Sequence, residues 1–434
     1  MTNRKFPQQM ESNSNFGFFF LLLYTIFVFV RPQEWTLEVI TFPFARICLI
    51  ISFVSYLLMQ KPKVWGQQAY FLCGLIFVIF LSGVRNFAIS DGFNEAIDFF
   101  IYSILPFLLY AGLVNTPKKL NWIILVLSFA CCIMIQHGIG QKFSVDGIGW
   151  SGVPLSQGTR ISYVGIFNDP NDLAMFFIMN IPLVFYLISI SGNKILKFSG
   201  YVLVSLLFYG VFLTNSRGGL VGLLALSASY IYFRYGKVKS MFIFSVALPA
   251  AYVVMSVFRK IDSSEDSAQG RINAWYDGIQ MFKYRPLFGV GKGQFEEIHY
   301  RAAHNSFVLI MAELGTFGFV LWFMTIALTM MMLIKIFNLS KEKYANSPAL
   351  LADIFFAKCI FLSFIGFLST AFFLSRTYEI FVYIFLGLAC SLYYRVLKQV
   401  PEIGVVTGKN MIFKIFISGF FALIGLYFII ILLL

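Results

Sequence analysis

The chain has 434 residues, of which 59% are hydrophobic and only 12% charged, with a formal net charge of +13. A soluble domain carries about a quarter charged residues, and apolar runs near or above the ~18 residues that cross a bilayer recur here from end to end. A water-soluble globular protein is therefore excluded. The expectation is an all-α polytopic membrane protein, a single membrane domain over residues 1–434, because the apolar runs are continuous rather than alternating.

In chain order, about twelve or thirteen spans are expected. They start near residues 16, 44, 69, 97, 121, 172, 197, 217, 240, 305, 351, 378 and 412. The first run, "FGFFFLLLYTIFVFV", lacks a small-residue cleavage site and leads into "RPQEW", so it reads as a retained span. No chemistry can be derived for that Arg31–Trp35 turn. The linkers "KPK", "NTPKKLN", "GNKILK", "RYGKVK", "NLSKEK" and "YYRVLKQ" are basic, while "VRPQEWTLE", "ISDGFNEAID" and "IDSSEDS" are mixed or acidic. They alternate, which puts the basic set in the cytoplasm, the N-terminus inside and the C-terminus outside. The positive net charge is thus topological, and no nucleic-acid partner is implied. All six cysteines fall in apolar runs, and neither C-x-x-C nor H-E-x-x-H occurs. Neither a disulfide framework nor a metal site is expected.

Lysine and arginine are sorted differently. Ten of the thirteen arginines fall on the outer side: Arg31, Arg46, Arg85, Arg160, Arg217, Arg259, Arg271, Arg285, Arg301 and Arg376. Orientation needs only charge, whereas bidentate phosphate binding needs a guanidinium. The bias points to a phosphorylated ligand outside the cytoplasm, although arginine also simply tolerates the headgroup region.

Two outer segments are long, about 137–171 and 258–304. The first ends in "GIFNDPNDLAMFF", a polar turn in which Asn171 or Asp172 caps the next span. "TNSRGGLVGLL" follows at 214–224: Asn215 or Ser216 caps a helix, and Arg217 stands at its positive end, a ready anion site. The loop 258–304 opens with an amphipathic helix at about 271–283, with Ile272, Trp275, Ile279 and Phe282 on one face and Arg271 at its start. Its "GVGKG" is neither a P-loop nor a dinucleotide turn, because no strand precedes it and no K-[ST] follows. In "RAAHNSFVLIMAELGTFG", Asn305 caps the next span and His304 stands at the membrane edge, where a histidine can act as general base. Glu313 is about two turns into that span and needs a partner there, an arginine or a helix partner. Gly315 and Gly318 allow close packing. "SRT" at 375–377 puts Arg376 at another outer turn.

Together, "SRGG", "RINAWYDGIQMFKYRPLFGVGKGQF", "HNSFVLIMAELGTFGFV" and "FNDPNDLAMFF" resemble the O-antigen ligase and polymerase superfamily over roughly residues 160–390. The resemblance implies a multi-pass glycosyltransferase of the bacterial inner membrane, acting on the periplasmic side without metal or other cofactor. The donor would be a glycan on undecaprenyl pyrophosphate; the acceptor would be lipid A–core, a growing glycan or a protein hydroxyl. It makes His304 and Arg217 catalytic, Arg217 and Arg271 pyrophosphate ligands, and Asn305 and Glu313 supporting residues, Glu313 as the acid of E-x-G-x-x-G. The arginine bias adds Arg285, Arg301 and Arg376 to the donor site. The alternative is a transporter or flippase of a lipid-linked or anionic substrate, which would place ionisable groups near the midplane and interrupt matching spans.

Overall fold

In the hydrocarbon layer a backbone must bond to itself, and the apolar runs of this chain do so as helices. The computed structural model describes residues 14–35, 42–261, 266–340 and 343–433. Its helices are α1 (Asn15–Phe29), α2 (Phe44–Met59), α3 (Gln67–Arg85), α4 (Ile89–Phe99), α5 (Leu105–Leu113), α6 (Pro117–Phe143), α7 (Pro170–Ile190), α8 (Lys194–Leu213), α9 (Arg217–Ile261), α10 (Asp266–Tyr284), α11 (Gln294–His299), α12 (Ser306–Phe337), α13 (Pro348–Ala371), α14 (Ile380–Gln399) and α15 (Lys409–Leu433). Among the described residues, ten helical stretches are long and apolar enough to cross a membrane, and α2 is a shorter apolar helix. α9 breaks at Gly236 (φ 76°), giving two further pieces. The protein is an all-α polytopic membrane protein, and all thirteen expected spans have a helix.

Two expected boundaries move. "ISDGFNEAID", taken as a linker, is the helical start of the fourth span. α4 runs through a π-turn at Phe100–Ile104 into α5, where Leu105 N–H reaches back to the Phe100 carbonyl. Pro106 follows; it has no N–H to bond Tyr102, so the helix loosens there. The first outer segment begins after Phe143 rather than at 137, because α6 continues for 27 residues. Residues 262–265 of the loop 258–304 and residues 36–41 after the Arg31–Trp35 turn lie outside the described residues, as does the side chain of Arg259.

The Arg31–Trp35 turn is a structural fastener. Arg31 is left-handed (φ 54°) and ion-pairs with Glu34. Trp35 Nε1 donates to Tyr163 Oη at 2.8 Å, and that hydroxyl donates to the Val30 carbonyl at 2.6 Å. The outer segment is thereby pinned to the end of α1. Its other anchor is the fully buried His137, whose Nε2 is 2.7 Å from Ser151 Oγ and whose Nδ1 is 3.2 Å from the Ser162 carbonyl.

α12 is not one helix. At Gly315 the backbone takes φ 63°, ψ −157°, outside helical space. The released groups bond to residues 286–291 instead. Val290 N–H and Gly291 N–H donate to the carbonyls of Ala312 and Glu313 at 3.0 and 2.9 Å, while Thr316 and Phe317 donate to those of Pro286 and Leu287 at 2.8 and 3.2 Å. Four of the groups freed by the break are thereby satisfied, as burial in a membrane protein demands. Glycine is required on both sides: a Cβ at Gly315 would lie 2.5 Å from the Leu287 carbonyl carbon, and one at Gly289 would lie 2.2 Å from the Glu313 carbonyl. The α3–α4 corner closes the joint, with Asn86 Nδ2 donating to the Gly289 carbonyl at 3.1 Å.

Candidate functional site

Three helices begin at one place. Asp169 caps α7, its side chain accepting from Asn171 N–H; the expected cap was Asn171 or Asp172. Proline at position 170 needs no N–H, and it moves the cap two residues ahead of Asn171, the first of the Asn-Asp pair. Of the two candidates at α9, Ser216 is the cap, with Oγ accepting from Gly219 N–H at 3.0 Å and donating to Asn171 Oδ1 at 2.7 Å. That second bond ties the start of α9 to the start of α7, and a Cβ on Gly219 would stand 2.8 Å from Ala174 Cβ. Asn305 caps α12 as expected, accepting from Phe307 and Val308 N–H at 2.9 and 3.1 Å. Ser306 then joins α12 to the α13–α14 turn: its Oγ donates to the Leu374 carbonyl at 2.6 Å and accepts from Arg376 N–H at 2.8 Å. Three positive helix ends therefore converge.

His304 stands among them in a left-handed backbone conformation (φ 49°). Such a conformation costs a non-glycine residue about 1–2 kcal/mol, and neighbours hold it. Trp275 Nε1 on α10 donates to the Ala303 carbonyl at 3.1 Å, and Asn305 begins α12 on the other side. Burial lowers the His304 pKa below its ordinary value, with the Arg271, Arg376 and Arg301 cations adding to the effect and Asp169 opposing it. The imidazole is thus held neutral and proton-accepting at neutral pH.

The predicted arginines separate into three groups. Arg217 follows the Ser216 cap, and Arg271 and Arg301 both lie within electrostatic reach of His304. Arg301 packs beside Gly270, the residue before Arg271. Arg376 is also at the cluster, but carboxylates hold its guanidinium. It makes a two-point pair with the buried Asp172, one arm at 2.6 Å, and lies 3.4 Å from Asp169 and 3.7 Å from Glu379. Burial pushes the Glu379 carboxyl up in pKa, and Arg376 pulls it back. Arg285 is elsewhere, at the far end of α10, about 21 Å from Arg271 at 1.5 Å per residue. It bonds Asn86 Oδ1 at 3.2 Å and stacks on Tyr284, securing the joint with α12.

Glu313 also belongs to that joint. It is buried, and its Oε1 accepts from Gly293 and Phe295 N–H at 2.9 and 3.4 Å, at the start of α11. The expected helix partner is thus a neighbouring N-terminus. The Glu313 carbonyl lies 3.5 Å from Ser82 Oγ, one turn from the end of α3. Glu313 is two turns past the Asn305 cap, as expected, and the break at Gly315 follows two residues later.

Sequence reading missed Asp169, Asp172 and Glu379 as the ion-pair partners of Arg376, and it left Arg160 only as one of the outer arginines. Arg160 reaches Asn171 Oδ1 at 2.7 Å and the Thr214 carbonyl at 3.0 Å, bracing the same corner. The i, i+3 pair of Asp169 and Asp172 at a helix start was the available signal. Among the described residues, no group of three or more His, Cys, Asp or Glu side chains is placed to hold a metal ion.

Fold and site together define a multi-pass helical membrane protein with a histidine in a cationic cluster at one end of the bundle. Residues 202–323 match the O-antigen ligase family model, so this stretch is similar to the O-antigen ligase superfamily. The matched stretch contains Arg217, Arg271, Arg285, Arg301, His304, Asn305 and Glu313, and it ends before Arg376. No curated protein sequence matches the chain.

Proposed function

We propose that this protein is a membrane glycosyltransferase that moves a glycan from undecaprenyl pyrophosphate to an acceptor hydroxyl on the periplasmic face of the bacterial inner membrane. The observation that carries the reading is the neutral His304 set among Arg271, Arg301 and Arg376 where three helices begin. A pyrophosphate leaving group gathers negative charge as its bond to the anomeric carbon breaks. Preorganised guanidinium groups and helix N-termini stabilise that charge best where water is scarce. Arg217, Arg271 and Arg301 take this role. His304 accepts the proton of the attacking hydroxyl, and attack from the face opposite the pyrophosphate inverts the centre. Arg376, already paired with Asp172, positions the α12 start through its backbone bond to Ser306.

The interruption of α12 is a feature the transporter alternative also calls for. Here the gap is met by the chain's own residues 286–291, which engage the carbonyls of Ala312 and Glu313 that a transported ion would otherwise find.

The test uses purified protein, an undecaprenyl-pyrophosphate glycan and a candidate acceptor, with products read by mass spectrometry. Transfer by wild type, lost in His304→Ala and Arg217→Ala, supports the reading, and the product mass distinguishes a ligase from a polymerase. Absence of any transfer, with labelled lipid-linked glycan crossing proteoliposomes instead, overturns it in favour of the transporter.

A further inference from the structure

A recess of about 650 Å³ lies at the same end of the bundle as the His304 cluster. It sits between the end of α1 with its Arg31–Trp35 turn, the start of α2, the π-turn after α4 and the start of α14. Glu379 lines it and lies 3.7 Å from Arg376, so one carboxylate is shared between the recess and the ion pairs beside His304.

Two polar atoms of the lining are left over. Tyr24 is 2% exposed, and its hydroxyl has no hydrogen-bond partner among the described residues. Gln33 donates its Nε2 to the Phe27 carbonyl at 3.0 Å, which leaves its Oε1 buried and likewise unmet. Buried polar atoms without a partner are costly and few in a folded chain, and a ligand is one way to meet them. The charged groups of the described lining, by contrast, already have partners within the chain. Arg31 pairs with Glu34, Glu379 with Arg376, and Arg46 donates to Tyr102 Oη at 2.9 Å. Aromatic rings complete the wall: Phe27 and Phe44 stack with centroids 5.1 Å apart, and Phe42 leans on Phe44 at 4.5 Å.

These features select a ligand chemistry. One leftover atom is a hydroxyl able to donate, and the other is an oxygen that only accepts, so the ligand needs groups that do both, as hydroxyls do. Charges that are already paired favour an uncharged ligand. The negative faces of aromatic rings suit a flat surface of C–H groups, whose hydrogens carry partial positive charge. A pyranose combines all three: C–H faces, a rim of hydroxyls and no net charge.

We propose that this recess is a sugar subsite, holding one uncharged pyranose unit of a glycan. One hydroxyl meets Tyr24 Oη, another meets Gln33 Oε1, and a ring face lies on the Phe42–Phe44 wall. The volume is within the ~300–1,000 Å³ typical of small-molecule sites. The source of the sugar rests on the glycosyltransferase reading above: the unit belongs either to the acceptor or to the donor's glycan.

Saturation-transfer NMR on the full chain in nanodiscs, without the sugar-headed detergents that would compete, tests binding directly. The probes are the methyl glycosides of glucose, galactose, mannose, rhamnose, N-acetylglucosamine and N-acetylgalactosamine, with empty nanodiscs as the blank. Wild type should transfer saturation to at least one of them. Tyr24→Phe deletes only the leftover hydroxyl and should weaken that glycoside about fivefold without lowering the unfolding temperature. Ala45→Trp, at the half-buried rim on α2, fills the recess and should abolish the signal. Silence of every probe with wild type overturns the proposal, as does binding that survives both substitutions. In the transfer assay, Tyr24→Phe should raise the KM of one substrate about fivefold, and whether that is the acceptor or the donor assigns the source. An unchanged KM for both refutes a glycan subsite. Glycoside binding by a wild type that transfers nothing would sink the glycosyltransferase reading and leave the sugar site standing, so the two failures are distinguishable.

Discussion

Replacing Gly315 by alanine tests whether the joint between α12 and residues 286–291 holds the loop carrying His304. The new Cβ would stand 2.5 Å from the Leu287 carbonyl carbon and 2.6 Å from its oxygen, both backbone atoms, so one strand of the joint must move. The φ of 63° with ψ −157° is open in practice only to glycine, and a side chain there costs about 1–3 kcal/mol. Movement of Leu287 also lengthens the bonds from Thr316 and Phe317, 2.8 and 3.2 Å at present; at ~1 kcal/mol each they add about 2. The total is ~3–5 kcal/mol, roughly a hundred- to several-thousandfold loss of protection against local opening. Hydrogen–deuterium exchange in nanodiscs should show this in peptides covering 286–291 and 312–317, with the core of α7 unaffected. Gly140→Ala in α6 is the control, since a Cβ there meets nothing within 4 Å. If Gly315→Ala keeps both peptides within threefold of wild-type protection, the joint does not hold these segments.

Because burial and three cations depress the His304 pKa, the basic form persists below pH 6.5. Transfer should stay active on the acid side until pH falls through that lowered value. Arg271→Gln should move this acid limb upward, toward the ordinary histidine value, besides weakening donor binding; an unmoved limb separates His304 from the proton step. Arg217→Lys should cut transfer at least tenfold, about 1.4 kcal/mol, because the charge stays and the two-point geometry goes; unaltered kcat/KM would refute the bidentate role. Asp172→Leu leaves Arg376 without its buried partner and should cost ~3 kcal/mol in thermal unfolding, and Asp172→Leu/Arg376→Met should recover most of it. Glu313→Gln keeps an acceptor oxygen for Gly293 and Phe295 and should be mild, whereas Glu313→Leu strands the buried Phe295 N–H at a cost of ~1–3 kcal/mol and frees that of the exposed Gly293 to water. Equal unfolding temperatures for those two variants would show that Glu313 does not cap α11.

Local physics made the helices and their caps readable. Asn305 before an apolar run fixes the start of α12 through short-range bonds, and the spans follow from length and polarity alone. What could not be read depends on contacts far apart in the chain. Arg376 looked like an available phosphate ligand because its partner Asp172 lies 204 residues away. Arg285 was grouped with Arg271 on charge, although a straight helix puts them at opposite ends. The glycines of E-x-G-x-x-G read as packing residues, and only the apposed Gly289 shows that Gly315 marks a break.

The same break divides α12 by length. Thr316 to Phe337 alone measures about 33 Å at 1.5 Å per residue, already enough for a hydrocarbon core of ~30 Å. The piece from Ser306 to Leu314 is then surplus to crossing, and hydrophobic matching fixes only the lower piece. On the proposed function, the upper piece would hold His304 on a shelf at headgroup height, beside the charged junction of a lipid-linked sugar. Bilayer thickness thereby becomes a vertical ruler for the reaction: a thicker membrane would submerge the shelf, and a thinner one would lift it away from the lipid's own phosphates.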